Sequence, residues 1–223
     1  MNVTERVRID VLVVISAWSA LAAVTASGVL GVYGPTGQLE VAAVIAIAWS
    51  VWLAAKNSLW NWPVGIVGTA LYLVFFWDLE LFADAGLQVV YIGLGFVGLV
   101  AWSRRDAQPE RAEAQRASWT ELGVVLAAVV IGTVVVRAYL LEVGGSAPFW
   151  DAVLTSGSLG AQYLLIRKYI ENWYLWAVVD VAYVGLFIDR AAYLTAALYV
   201  LLLAMVIKAA IEWRTLLPAA ERA

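Results

Sequence analysis

The chain has 223 residues, 64% of them hydrophobic and 14% charged, with mean hydropathy +0.85 and net charge −3. A soluble domain is about 45–50% apolar and about 25% charged, so this composition excludes an ordinary water-solvated fold and calls for hydrocarbon as solvent. The chain lacks cysteine and histidine, which removes disulfides, thiolate chemistry, the commonest metal ligand and the usual general base, and its negative charge argues against nucleic acid as a partner.

A spanning helix needs roughly 20 mostly apolar residues. The first candidate covers 11–32. Arg6 and Arg8 precede it, but no compact small-residue cleavage site follows, so it is expected to stay as a helix rather than leave as a signal. Further candidates cover 40–56, 61–77, 84–102, 119–141, 149–166, 172–188 and 192–212. The links are short except Ser103 to Ser118, where Arg104, Arg105, Asp106, Pro109, Glu110, Arg111, Glu113 and Arg116 predict a solvated connector. Gly93, Gly95 and Gly98 match G-x-G-x-x-G, but they fall inside a spanning segment with no preceding strand. They therefore predict close helix packing, not a dinucleotide site. There is no Walker A motif, metal-ligand spacing or nucleophile elbow, so no enzyme activity is expected and no cofactor is implied.

Alternate links sort the charges. One side carries Arg6, Arg8, Lys56, Arg104, Arg105, Arg111, Arg116, Arg167, Lys168, Arg214 and Arg222, and the other only Arg190. The rich side is predicted to be cytoplasmic, with both termini inside, in a multi-pass protein of the inner (plasma) membrane. Arg137 and Lys208 lie within helices near their ends, where they are expected to snorkel.

The chain repeats at the 111-residue spacing from Asn61 to Asn172 (172 − 61). At that offset Trp62 meets Trp173, Tyr72 meets Tyr183, Phe76 meets Phe187, Asp78 meets Asp189, Leu87 meets Leu198 and Trp102 meets Trp213. Glu40 meets Asp151, and Lys56 meets Arg167. The expected fold is an all-α polytopic membrane protein of about eight transmembrane helices, with two parallel three-helix repeats joined by a linker helix (3+1+3) after an extra N-terminal helix. The expected divisions are 1–39 for the N-terminal helix, 40–102 for the first repeat, 103–148 for the loop and linker helix, 149–213 for the second repeat and 214–223 for a cytoplasmic tail. A substrate site is expected between the copies, near mid-membrane.

Polar groups in hydrocarbon are costly unless paired or facing a cavity, so polar residues sharing a helix face are informative. Asp151, Thr155, Ser158 and Gln162 form one stripe, and Asn172, Trp176, Asp180 and Tyr183 another. Asp84, Gln88 and Tyr91 form a shorter one, and Thr195 and Tyr199 are four apart. Asp180, mid-span, reads either as a cavity wall that attracts a cation or hydroxyl, or as a structural partner of a neighbouring Tyr, Gln or Trp. Gln88 and Gln162 carry the same two readings. Trp62, Trp102, Trp173 and Trp213 lie near helix ends and read as interfacial belt residues, whereas Trp176 lies a turn deeper and suits stacking on a planar cation.

Two blocks resemble the PnuC family of vitamin transporters. One runs Trp60-Asn61-Trp62-Pro63-Val64-Gly65 through Leu71-Tyr72 to Asp84-Ala85-Gly86-Leu87-Gln88-Val89-Val90-Tyr91. The other runs Glu171-Asn172-Trp173-Tyr174-Leu175-Trp176, then Val179-Asp180-Val181 and Tyr193-Leu194-Thr195-Ala196-Ala197-Leu198-Tyr199. Asp151 through Gln162 is similar to the family as well. The resemblance covers about 40–213. It implies a fold related to the SWEET sugar transporters, facilitated diffusion drawn by phosphorylation of the cargo inside the cell, and a homo-trimer in the lipid bilayer. The usual cargo is nicotinamide riboside, and relatives carry thiamine, riboflavin or deoxynucleosides. It implies substrate contacts at Gln88, Asn172, Trp176 and Tyr199, with Asp180 close by. The full candidate set is Gln88, Tyr91, Thr155, Ser158, Gln162, Asn172, Trp173, Trp176, Asp180 and Tyr199. In the first copy Gly65 stands where the second has Trp176, and Thr69 where it has Asp180, so an asymmetric site is expected. A membrane enzyme and a non-transporting subunit are the other readings.

Overall fold

The computed structural model describes residues 34–79, 82–107, 114–143, 148–189 and 193–221. The helix expected over 11–32 lies outside the described residues. The described residues form seven α-helices: α1 (Gly34–Ala55), α2 (Asn61–Asp78), α3 (Phe82–Asp106), α4 (Trp119–Glu142), α5 (Pro148–Ile166), α6 (Glu171–Asp189) and α7 (Tyr193–Arg214). A short 3-10 turn, Ala219–Glu221, comes after α7. Among the described residues the only β pairing is an isolated bridge between Gln115 and Tyr169.

Local chemistry sets the ends. Ser118 caps α4, its hydroxyl accepting from the Glu121 amide at 3.2 Å. Pro148 opens α5, where a missing N–H costs nothing. The stretches over Gln38–Ala55, Asp84–Asp106 and Trp119–Glu142 are long and apolar enough to cross a membrane on hydropathy alone.

The described chain divides into two compact units, one of residues 34–50 and 60–95 and the other of 51–59 and 96–221. In the first, glycines let helices approach closely. A Cβ at Gly65 would sit 2.8 Å from Ser50 Oγ, and one at Gly68 would sit 3.0 Å from Ala46 Cβ. Of the glycine triplet expected to pack helices, Gly95 does so, since a Cβ there would fall 2.7 Å from Ile66 Cγ1. Gly93 faces open space.

In the second unit α4 packs on α5, α5 on α6 and α6 on α7. Gly132 of α4 lies against Ser156, and Gly160 of α5 against Val129. The connector before α4 is not simply solvated. Gln115 donates its amide to the Lys168 carbonyl at 3.1 Å and accepts from the Ile170 amide at 3.0 Å. The Ala117 amide donates to Glu171 Oε2 at 2.9 Å.

Helices α1 and α5 end in matching Schellman turns. Asn57 N–H donates to Ala54 O and Ser58 N–H to Leu53 O, both at 2.9 Å. Lys168 N–H donates to Leu165 O at 2.9 Å and Tyr169 N–H to Leu164 O at 3.0 Å. Among the described residues, Asn57 (φ 52°) and Lys168 (φ 56°) are the non-glycine residues with positive φ, and they too are 111 apart (168 − 57). A left-handed conformation costs an L-residue about 1–2 kcal/mol, somewhat less for Asn. Asn57→Gly is therefore expected to raise stability by up to about 1 kcal/mol, read as a higher melting temperature in detergent. Lys168→Gly relieves the same strain but removes a buried side chain and its ion pair with the exposed Asp106, so it is expected to lower the melting temperature.

Candidate functional site

The polar stripes of α5 and α6 both lie in the second unit. On α5, Ser158 is buried and Thr155 and Gln162 are partly buried. On α6, Asn172 has no exposed surface, Trp176 is partly buried and Asp180 is 5% exposed. Among the described residues no hydrogen bond or ion pair reaches the Asp180 carboxylate, so the structural pair with a neighbouring Tyr, Gln or Trp is not made there. One turn beyond it, Tyr183 stacks on Tyr199 of α7, with ring centroids 4.6 Å apart and planes tilted by 32°. Trp176, Asp180 and Tyr183 therefore present an aromatic ring, a carboxylate and a tyrosine pair along one face. Gln88 and Tyr91 lie in the other unit, where the Gln88 side-chain amide donates to the Asp84 carbonyl of its own helix at 3.4 Å.

The base of α6 is built differently. Asn172 Nδ2 donates to the Tyr169 carbonyl at 2.6 Å, and its Oδ1 has no hydrogen-bond partner among the described residues. Trp173 is buried and meets Trp213 edge to face at 5.4 Å. The belt reading of the terminal tryptophans is overturned. Trp62, Trp102, Trp173 and Trp213 are all buried, and the last carbonyls of α1 and α5 take the indole N–H groups of Trp213 and Trp102. A helix leaves its last four carbonyls without intrahelical donors, and a buried indole needs an acceptor, so each meets the other's requirement.

Lys168, counted in the sequence among the basic link charges of one side, is buried, with Nζ 2.9 Å from Asp106 Oδ1 and 4.3 Å above the Trp102 ring centre. Sequence reasoning also passed over Glu121. Its carboxylate accepts from the Tyr163 hydroxyl at 3.1 Å and the Tyr169 hydroxyl at 2.5 Å, with Arg167 Nη2 at 3.6 Å. Burial, then the bond to Glu121, push the Tyr169 hydroxyl above its ordinary pKa, so it stays a donor at neutral pH. The Ser-x-x-Glu spacing from Ser118 to Glu121 is a helix-start signal and carries no trace of this wider role. Among the described residues no three acidic, His or Cys side chains gather as a metal site.

The model of the nicotinamide mononucleotide transporter family matches residues 37–215. The chain belongs to this family. Among relatives, it is 30% identical over 164 residues to the nicotinamide riboside transporter PnuC of Neisseria mucosa, covering 71% of this chain and 62% of that protein. It is 25% identical over 201 residues to PnuC of Escherichia coli, covering 78% and 84%. It is 30% identical over 167 residues to the riboflavin/roseoflavin transporter RibM of Streptomyces davaonensis, covering 72% and 77%. The crystal structure of the vitamin B3 transporter PnuC superposes with a TM-score of 0.67 at 26% identity, covering 88% of this chain and 87% of that one. As a member of the nicotinamide mononucleotide transporter family, the chain is a membrane transport protein. Its exposed apolar faces, such as Val178 and Val181 on α6, fit contact with lipid.

Proposed function

We propose that the protein carries nicotinamide riboside across the membrane by facilitated diffusion. The observation that carries this reading is the buried Asp180 carboxylate, free of hydrogen bonds and ion pairs among the described residues and sharing a helix face with Trp176. A cationic aromatic cargo supplies the missing charge to Asp180 and a planar ring to Trp176. Thr155, Ser158 and Gln162 offer hydroxyls and an amide to the ribose, and Tyr199 extends the wall through its stack on Tyr183. Gln88, Tyr91, Asn172 and Trp173 complete the proposed set. The names of the Neisseria mucosa and Escherichia coli relatives support this cargo.

The similarity to RibM favours a second reading, in which the cargo is riboflavin. Riboflavin is neutral and larger, so it would use Trp176 and the tyrosine pair and leave Asp180 without a counter-charge.

The arrangement that fits either cargo has eight spans, parallel repeats over 40–102 and 151–213 joined by α4, and both termini in the cytoplasm. The matched helix caps at Asn57 and Lys168 support the repeats, and the basic links support the orientation. A homo-trimer in the inner membrane without enzymatic activity completes the proposal.

Thermal stabilisation of the detergent-purified protein by nicotinamide riboside, thiamine, riboflavin and thymidine tests it. A ligand at about 100 times its dissociation constant adds roughly 2.7 kcal/mol. The expected result is a shift with nicotinamide riboside. A shift with riboflavin alone replaces the first reading by the second. Uptake into proteoliposomes that required a proton or sodium gradient would remove facilitated diffusion.

A further inference from the structure

The buried tryptophans make a crossed arrangement inside the second unit. Trp102, near the end of α3, donates its indole N–H to the Leu165 carbonyl at the end of α5, at 3.2 Å. Trp213, near the end of α7, donates to Ala54 O at 3.2 Å and Ala55 O at 3.1 Å, at the end of α1. Donors and acceptors are both 111 apart (213 − 102 and 165 − 54), so the two bonds are one contact made twice in opposite directions. Each is doubled by an ion pair between the same two elements. Lys168, following α5, meets Asp106 of α3 at 2.9 Å, and Lys56, following α1, meets Glu212 of α7 at 3.1 Å. The ion pairs do not align at the offset. Lys168 stands opposite Asn57, and Lys56 opposite Arg167, yet both arms carry the same two kinds of bond. Trp102 and Trp213 meet at 6.1 Å, which joins the arms at their centre.

We propose that these contacts are a two-armed latch that holds together the end of the bundle bearing Arg104, Arg105 and Arg214, and that both arms release each time this end opens to discharge cargo. The latch rests on the transporter reading but not on the identity of the cargo. In the repeat alignment each arm ties the last helix of one copy to the first helix of the other, so the copies cannot part at this end with either arm intact. Hydrogen bonds and ion pairs suit a latch better than apolar packing does, because water entering the opened end can satisfy every group that is released. Lys168 also lies over the Trp102 ring, so release of that arm frees the ammonium and the indole together.

The chain has no cysteine, which makes a single introduced thiol a clean reporter. Ser158→Cys places it at a buried position on the polar stripe of α5. Labelling by a membrane-impermeant maleimide, without cargo, is followed in inside-out and right-side-out vesicles. Trp102→Phe with Trp213→Phe keeps an aromatic ring at each position and removes the N–H donors together with the pyrrole half of each indole. The expected result is labelling faster by about tenfold from the basic-loop side, two lost hydrogen bonds being worth about that ratio, with either single variant giving a smaller rise. Asp106→Asn with Glu212→Gln leaves the indoles in place and is expected to accelerate labelling from the same side, which decides the matter should the Phe pair fail to fold. Unchanged labelling in the folded variants, or a rise only from the opposite side, overturns the latch. Because no cargo is present, that outcome is separate from failure of the ligand panel.

Discussion

Asp180→Asn is expected to weaken binding of nicotinamide riboside on the order of 10–100-fold while leaving riboflavin affinity within about threefold. A hydrogen bond or contact to a charged partner is worth about 1.5–3 kcal/mol, and 1.4 kcal/mol is tenfold in affinity. Asn keeps the size and one acceptor oxygen of Asp180, turns the other oxygen into an NH2 donor and removes the charge, so the larger loss falls on a cationic cargo. Asp180 is 5% exposed and has no hydrogen bond or ion pair among the described residues, so the substitution strands no partner there. Trp176→Ala serves as the comparison, because stacking serves both ligands and both should weaken. Titration calorimetry of the two purified variants separates the cases. Equal losses for both ligands in Asp180→Asn would make the carboxylate structural and remove the argument from charge.

The second large effect is on stability. Trp213→Ala is expected to cost about 3–5 kcal/mol, the range for deleting a large aromatic side chain from a core. Trp213 has no exposed surface, meets Trp173 edge to face and Trp102 at a tilt, and donates to two carbonyls at the end of α1. Its removal leaves a cavity and takes the indole donor from the Ala54 and Ala55 carbonyls. Trp102→Ala should behave similarly, since Trp102 also lies beneath the Lys168 ammonium. Trp119→Ala is the contrasting case. That side chain is 90% exposed, and its loss should leave the melting temperature unchanged. A belt residue and a core residue would thus be told apart by one denaturation series, and comparable small shifts for Trp119 and Trp213 would contradict the burial described above.

Much of the fold was legible because membrane helices are specified by length and apolar content, quantities that a sequence carries directly. The expected segments 61–77, 119–141, 149–166 and 172–188 each match a helix to within a residue or so at either end. The segment expected from Glu40 begins at Gly34 instead, because Pro35 is tolerated in a first turn and so does not mark a boundary. The offset relating Asn61 to Asn172 and the polar stripes of α5 and α6 were equally readable, since both depend on residue identity and helical period alone. Trp102, Trp213 and Lys168 were not. An interfacial tryptophan and a buried one leave the same trace at a helix end, and a lysine in a link looks solvated whatever lies above it. Only the tertiary structure decides which atoms face them, because the acceptors Ala54 and Leu165 and the counter-ion Asp106 come from elements distant in the chain. The same holds for Gly95 and Gly93, where identical residues on one helix differ only in whether Ile66 stands opposite. Sequence alone determined which segments are helices and which faces are polar, as consequences of local composition and period. Tertiary structure decided which polar groups are satisfied, because a hydrogen bond or ion pair needs a partner whose position only the packed helices set.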